Sequence, residues 1–284
     1  MVSPVVATFR LAAFVLWTLA ALVPYVPLLA VGWKGCPAYV RGYFKVVARI
    51  CGLRVVAEGA PIETRPPVLF VANHASYIDI IVLGCLLEAR FVAKSEVAGW
   101  PGFGFLSRMA RAVFVDRRRG GTARERDLLR RCLEAGESLI LFPEGTSNDG
   151  NRVLAFKSSL FAAAEGPVGG EAIRVQPLSV AYTRLDGIPM GRALRPFYAW
   201  YGDMTMAGHL LRFLGLGRAT AEVVFHRPVT LGDFKDRKAL SNHCRDVVAH
   251  GVVLALAGRW GDFPPEPQPG LLAAPLPLSP ETEA

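Results

Sequence analysis

Four short apolar runs in this chain are each followed at once by a cluster of polar residues. Val68–Ala72 leads into Asn73-His74-Ala75-Ser76-Tyr77-Ile78-Asp79, and Phe91–Ala93 into Lys94-Ser95-Glu96. Ala112–Val115 leads into Asp116-Arg117, and Ser138–Phe142 into Pro143-Glu144-Gly145-Thr146-Ser147. Runs that are apolar throughout, rather than at alternate positions, predict strands buried on both faces, as in an α/β sheet. Val175–Tyr182 and Ala221–Phe225 have the same character. Between two of these runs lies a punctuated helix. Thr122 and Glu125 have the spacing of a capping box, Leu128, Leu129, Cys132 and Leu133 form one stripe, and Gly136 can end it. The expected fold class is therefore α/β. Its polar clusters lie at the carboxyl ends of the strands, the rim where open α/β sheets bind ligands.

A second constraint is the stretch Leu11–Trp33, 23 residues without a charge between Arg10 and Lys34. As one helix it would reach about 35 Å, enough to cross a bilayer core. Trp17, Tyr25 and Trp33 suit membrane interfaces. Pro24 and Pro27 would kink such a helix or make it a shallow re-entrant segment, so crossing the bilayer and lying in it both stay open. A cleaved signal peptide is the alternative reading, against which the run is longer than a usual signal-peptide apolar region. Lys34, Arg41, Lys45 and Arg49 follow it and outnumber Arg10 and the terminal amine. By the positive-inside rule, the rest of the chain then faces the cytoplasm from the inner (cytoplasmic) membrane. Residues 1–35 are expected as the membrane segment and 36–262 as one domain. Residues 263–284, with seven prolines, read as a disordered tail.

Composition agrees with a lipid partner. Of the 284 residues, 52% are apolar and 20% charged, which excludes general disorder. A mean hydropathy of +0.31 asks for a membrane segment or a lipid-facing surface. The net charge of +8 is local. Residues 1–60 hold six Lys/Arg against one Glu, and residues 90–131 hold eleven against four acids. Such zones suit an anionic membrane surface. A nucleic-acid binder would need a recognised motif or basic–aromatic interleaving, and the chain has neither. The five cysteines are scattered without a C-x-x-C pair, which points to a reducing compartment. His209, His226, His243 and His250 lack metal-ligand spacing, so no metal is expected.

His74 and Asp79 are the best candidates for chemistry. Five residues of regular helix turn through about 140°, so the two can meet only with His74 on the turn and Asp79 in the first helical turn, with Ser76 as N-cap. Asp79 would then fix the imidazole tautomer and leave the other nitrogen to act as base. Glu144-Gly145-Thr146 offers a tight turn with exposed N–H groups and a hydroxyl, suited to a phosphate or an oxyanion. Arg117, beside Arg118 and Arg119, can pair with a phosphate. Each cluster alone also reads as ordinary structure: a capping Asp, a strand-to-helix loop, a solvated basic run. Their convergence on one rim favours a site.

Asn-His-x4-Asp at 73–79, followed by Phe-Pro-Glu-Gly-Thr at 142–146, resembles the glycerolipid (lysophosphatidate-type) acyltransferase family. Ala112-Val-Phe-Val-Asp-Arg117 is similar to the family's second block and Val175-Gln-Pro-Leu-Ser-Val180 to its fourth. Phe156-Lys157 matches the Phe-Lys that follows the third. The resemblance is strong over about residues 65–185. It implies a mixed, mostly parallel sheet flanked by helices, preceded by an N-terminal membrane helix. It also implies transfer of a fatty acyl group from an acyl-carrier-protein (acyl-ACP) or coenzyme A (acyl-CoA) thioester to a lysolipid hydroxyl. No bound cofactor is implied. By matching position, His74 would be the general base and Asp79 its orienting partner. Arg117, Glu144, Gly145 and Thr146 would bind the acceptor headgroup, and Lys94 matches a Lys found after the intervening strand. No G-x-S-x-G elbow is present, consistent with direct transfer from an activated thioester.

Two positions depart from the family pattern. Arg111 stands where the second block has Gly, and Ser147 where the third block continues with Arg. The stretch 142–157 is similar to the bacterial branch that acylates lyso-ornithine lipid, whose headgroup carries a carboxylate and an amine in place of a phosphate. Arg152 is a second source of the charge missing at 147. Two rival readings, a non-catalytic lipid-binding membrane protein and a lipid hydrolase, are disfavoured. The first would have no use for the His74–Asp79 pair, and the second would put water in the acceptor's place.

Overall fold

The computed structural model describes residues 2–115 and 123–259. Arg117, Thr122 and the expected tail 263–284 lie outside the described residues, as does the capping box built on Thr122. The chain begins with two helices, α1 (Pro4–Ala30) and α2 (Cys36–Ile50). Strands β1 (Leu53–Gly59) and β2 (Val68–Ala72), helix α3 (Ile78–Gly84) and strand β3 (Arg90–Lys94) follow. Next come α4 (Phe103–Met109), β4 (Val113–Val115), α5 (Ala123–Glu134) and β5 (Leu139–Leu141). The long strand β6 (Arg174–Leu185), the short β7 (Ile188–Pro189), α6 (Met206–Gly215), β8 (Ala219–Phe225) and α7 (Arg237–Leu256) complete the order.

Among the described residues the strands form one mixed sheet in the order β1-β8-β6-β2-β5-β3-β4, with β7 paired to β6. Neighbours are parallel except at β6–β8 and β6–β7. The unbroken apolarity of β2 has a direct cause. Val68, Phe70 and Ala72 enter a core beneath α2 and α3, while Leu69 and Val71 enter a second core beneath α5 and α7. Successive side chains point to opposite faces, so a strand covered on both sides needs apolar residues at every position. The α5 stripe Leu129, Cys132 and Leu133 seats in the second core as its spacing requires. All five cysteines are free and buried.

Three local expectations are corrected. Strand β1 was not predicted. It pairs with β8 alone, at the sheet edge, and its Arg54 and Glu58 break the apolar run that marks an interior strand. Ser76 does not cap α3. The helix starts at Ile78, and the N–H groups of Ala75 and Ser76 donate instead to Asp79, whose carboxylate folds back over the turn. Arg10 does not flank the apolar helix but lies within it, because α1 starts at Pro4 and runs continuously through Pro24 and Pro27. Its guanidinium donates to the carbonyls of Leu214 and Leu216 at the end of α6.

Helix α1 is the one helix among the described residues long and apolar enough to cross a membrane. It is also tied to the domain at both ends. The Ser3 N–H donates to the Gly215 carbonyl, and the Tyr25 hydroxyl to the carbonyl of Met109. Its outward face carries Val5, Phe9, Leu16, Leu19, Val23 and Val26, all exposed, at alternating spacings of three, four or seven residues.

Candidate active site

The turn after β2 is bound to β6 before it reaches His74. Buried Asn73 lies beside β6, where its amide nitrogen donates to the Val180 carbonyl at 2.9 Å and its oxygen accepts the Val180 N–H at 2.8 Å. The side chain thus imitates one more rung of the β2–β6 ladder. His74 follows on the turn and Asp79 in the first turn of α3, and His74 Nδ1 lies 2.9 Å from Asp79 Oδ2. The same oxygen accepts the N–H groups of Ala75 and Ser76 at 2.8 and 2.9 Å. The other, Oδ1, accepts the Tyr182 hydroxyl at 2.7 Å. Four donors therefore meet one fully buried carboxylate, about its full capacity.

This arrangement puts the imidazole proton on Nδ1 and leaves the lone pair on Nε2. Nε2 makes no hydrogen bond among the described residues, and the side chain keeps 21% of its surface exposed. The ring lies flat on Phe142 with centroids 4.1 Å apart. The imidazole is thus held on one edge and one face, with the Nε2 edge open.

The turn after β5 supports the turn after β2. Buried Glu144 accepts the His74 N–H at 2.8 Å through Oε1. Its Oε2 accepts the Asn148 amide at 2.7 Å and the Leu154 N–H at 3.1 Å. Burial pushes this carboxyl above the ordinary glutamate range, against the pull of those hydrogen bonds. Gly145 adopts φ +74°, and an added Cβ would meet the Lys157 ammonium at 2.7 Å. The left-handed backbone favours glycine here, and the mobile end of Lys157 lies close over it. The Thr146 hydroxyl is exposed. Ser147 donates its hydroxyl to the Trp200 carbonyl, and Trp200 donates its N–H to the Ala75 carbonyl at 2.9 Å. Lys94 ends β3 on the same rim, exposed. Among the described residues no group of three His, Cys, Asp or Glu side chains is placed to hold a metal ion.

Comparison with known proteins decides the family. The Acyltransferase family profile matches residues 54–181, a span that includes the Asn73–Asp79 turn, the Pro143–Ser147 turn and Val180. A lyso-ornithine lipid O-acyltransferase of Brucella abortus is 41% identical, over 80% of this chain and 86% of that protein. This chain belongs to the acyltransferase family. A 1-acyl-sn-glycerol-3-phosphate acyltransferase of Neisseria gonorrhoeae is 28% identical over 75% of the chain and 82% of its own length. The crystal structure of the 1-acyl-sn-glycerophosphate acyltransferase of Thermotoga maritima shares the fold. Its TM-score is 0.64 at 23% identity, covering 90% of this chain and 95% of that one.

This acyltransferase is an O-acyltransferase of lipid biosynthesis. Its sequence pointed to His74, Asp79 and Glu144, and the structure brings these three into one hydrogen-bonded unit. It did not reveal what Tyr182 or Phe142 touch: Tyr182 reads as core in an apolar strand, and Phe142 was visible only as the first residue of the third block. Asn148 was visible only as part of the departure after Thr146, and its role in holding Glu144 depends on contact across the turn.

Proposed function

We propose that the enzyme moves a fatty acyl group from an acyl-ACP or acyl-CoA thioester to the free hydroxyl of lyso-ornithine lipid, with His74 as general base. The observation that supports this chemistry is the Asp79–His74 pair with its open Nε2. The acceptor hydroxyl donates to Nε2. As its oxygen bonds to the thioester carbonyl carbon, the proton passes to Nε2, and the imidazolium faces the buried Asp79 carboxylate. The tetrahedral intermediate then collapses, the C–S bond breaks, and the departing sulfur takes the proton from Nε2. The products are an ester and a thiol. No acyl-enzyme is needed, because the thioester is already activated.

For the headgroup we assign Lys94 and Thr146 on the rim, together with Arg117; Gly145, expected to offer an exposed N–H, is buried and donates that N–H to the Phe142 carbonyl, so it acts by shaping the turn. Glu144 acts through the turn it holds, since both its oxygens already accept protein donors. The choice of lyso-ornithine lipid rests on three supports. Relatives bearing that name reach 41% identity, against 28% for the 1-acyl-sn-glycerol-3-phosphate enzyme. The position after Thr146 is also a serine whose hydroxyl is engaged by Trp200. Near that turn Arg195 feels the charges of both Arg192 and Asp149, and it donates to the Asn151 side chain. The acid beside that turn, Asp149, would pair with the amine of an ornithine headgroup and repel a phosphomonoester.

A cavity of about 160 Å³ lies between α1, α2, α3 and α4, lined by Phe14, Tyr43, Phe44, Tyr77, Ile80 and Phe103 among others. It borders the helix that carries Asp79 and is the natural place for an acyl tail. Helix α1, fastened at both ends, would lie in the cytoplasmic leaflet of the inner membrane with its exposed apolar face in lipid. The basic zones at 34–49 and 90–131 would meet anionic headgroups.

The test is a panel of acceptors with purified enzyme and labelled acyl-ACP and acyl-CoA. Lyso-ornithine lipid should be acylated with the higher kcat/KM. An equal or higher value for lysophosphatidate would favour that second acceptor, for which exposed Arg152 supplies a charge. Thioester loss without ester formation would indicate a hydrolase.

A further inference from the structure

The hydrogen bond from the Tyr182 hydroxyl to Asp79 Oδ1 joins two parts of the chain 103 residues apart. Tyr182 sits on β6, two residues beyond the Val180 backbone that clasps Asn73. The same strand therefore holds both ends of the catalytic turn, Asn73 through its backbone and Asp79 through a side chain. Tyr182 is almost wholly buried, its ring stacked on Tyr198 with centroids 5.6 Å apart. The β6–β8 register shifts between Tyr182 and Arg184, so the ladder is interrupted just after this residue and resumes at Arg184.

We infer that Tyr182 is a positioning residue for the transfer reaction, locking the plane of the Asp79 carboxylate so that Oδ2 stays aimed at His74 Nδ1. The inference rests on the reading of His74 as the base. The physical argument concerns rotation. His74 Nδ1 and the N–H groups of Ala75 and Ser76 all meet Oδ2, so a turn about the Cβ–Cγ bond would carry that oxygen away from all three, while Oδ1 has none of these donors. Tyr182 is the donor that meets Oδ1, so with it both oxygens must lose hydrogen bonds before the carboxylate plane can turn. Burial and the Asp79 charge push the phenol well above its ordinary range, so the hydroxyl remains a donor throughout the working pH range. When the imidazole takes the acceptor's proton, a carboxylate held in this way faces the new charge without reorganising.

Tyr182→Phe removes one hydroxyl and keeps the ring that stacks on Tyr198. The expected result is a fall in kcat of roughly ten- to a hundredfold, the effect of losing one hydrogen bond to a charged group. KM for donor and acceptor should stay within about twofold, because Tyr182 lies behind Asp79 and touches neither. In an Asp79→Asn background, Tyr182→Phe should cause no further loss, since the carboxylate it positions is already gone. A fully active Tyr182→Phe, or losses that multiply in the double variant, would overturn the inference. A rise in KM with kcat unchanged would do so as well. If Tyr182→Phe does not fold, 3-fluorotyrosine at position 182 changes donor strength without changing packing. A kcat equal to that of the unmodified enzyme would then overturn the inference. His74→Ala in the same assay separates the two levels: an active His74→Ala defeats the base itself, whereas an inactive one beside an active Tyr182→Phe defeats only the positioning role.

Discussion

The buried carboxylate of Glu144 accepts the backbone N–H of His74 at 2.8 Å across 70 residues of sequence. β2 and β5 are parallel neighbours, so the turns after them emerge side by side on one rim. The two most recognisable motifs of the chain are therefore one structure. The second shapes the backbone from which the first projects the His74 imidazole.

His74→Ala should lower transfer by about 10²–10⁴, the usual loss for a positioned general base. Asp79→Asn should also be severe, because an amide donor at Nδ1 would favour the wrong tautomer. The measurement is kcat on purified protein whose membrane binding and thermal midpoint match wild type. Retained activity in folded His74→Ala would refute the mechanism.

Glu144→Gln should reduce stability by about 1–3 kcal/mol near pH 5, because an NH2 group then faces one of the three donors that the carboxylate accepts. The pH dependence follows from the raised carboxyl. A group with a folded-state pKa above its unfolded value stabilises the protein below the unfolded value, and that contribution is lost as pH rises through the folded one. Wild-type stability should therefore fall as pH rises above the ordinary glutamate range, about 4.3, and the gap between wild type and Glu144→Gln should narrow. Denaturant midpoints from pH 4 to pH 8 check this, and a gap that widens with pH would contradict it.

Ser147→Arg should raise the kcat/KM for lysophosphatidate relative to lyso-ornithine lipid by about tenfold, the scale of one charge-assisted contact. A phosphomonoester carries about −1.5 to −2 at neutral pH and gains most from an added guanidinium. Asp149→Asn should act mainly on the acceptor that carries an amine. Both ratios are measured at fixed donor. A ratio unmoved by either variant would mean that this turn does not read the headgroup.

Leu16→Asp and Val23→Asp should weaken binding to anionic vesicles about tenfold or more, since each replaces a side chain whose burial in lipid contributes about 1.5–3 kcal/mol. Leu16 and Val23 are 67% and 75% exposed on the domain, so thermal midpoints should stay near wild type. Sedimentation with vesicles reads the first quantity and calorimetry the second. Unchanged binding by both variants would show that α1 does not enter the bilayer by this face.

Much of this protein was determined by its sequence alone. Strands buried on both faces must be apolar at every position, so β2, β5 and the centre of β6 could be read directly. The polar residues that interrupt them could only lie where strands end, which placed His74, Asp79 and Glu144 on one rim. Edge strand β1 lacked that pattern, because a strand with one neighbour tolerates Arg54 and Glu58. What the tertiary structure alone decided is how those residues are held. Tyr182 reaches Asp79 across 103 residues, and Arg10, a membrane flank by its position in the sequence, turns inward to the carbonyls of Leu214 and Leu216. Periodicity records which side of an element is buried, but not which distant partner it is buried against. A hydrogen bond between residues far apart in sequence depends on the packing of the whole sheet and leaves no local trace in the order of amino acids.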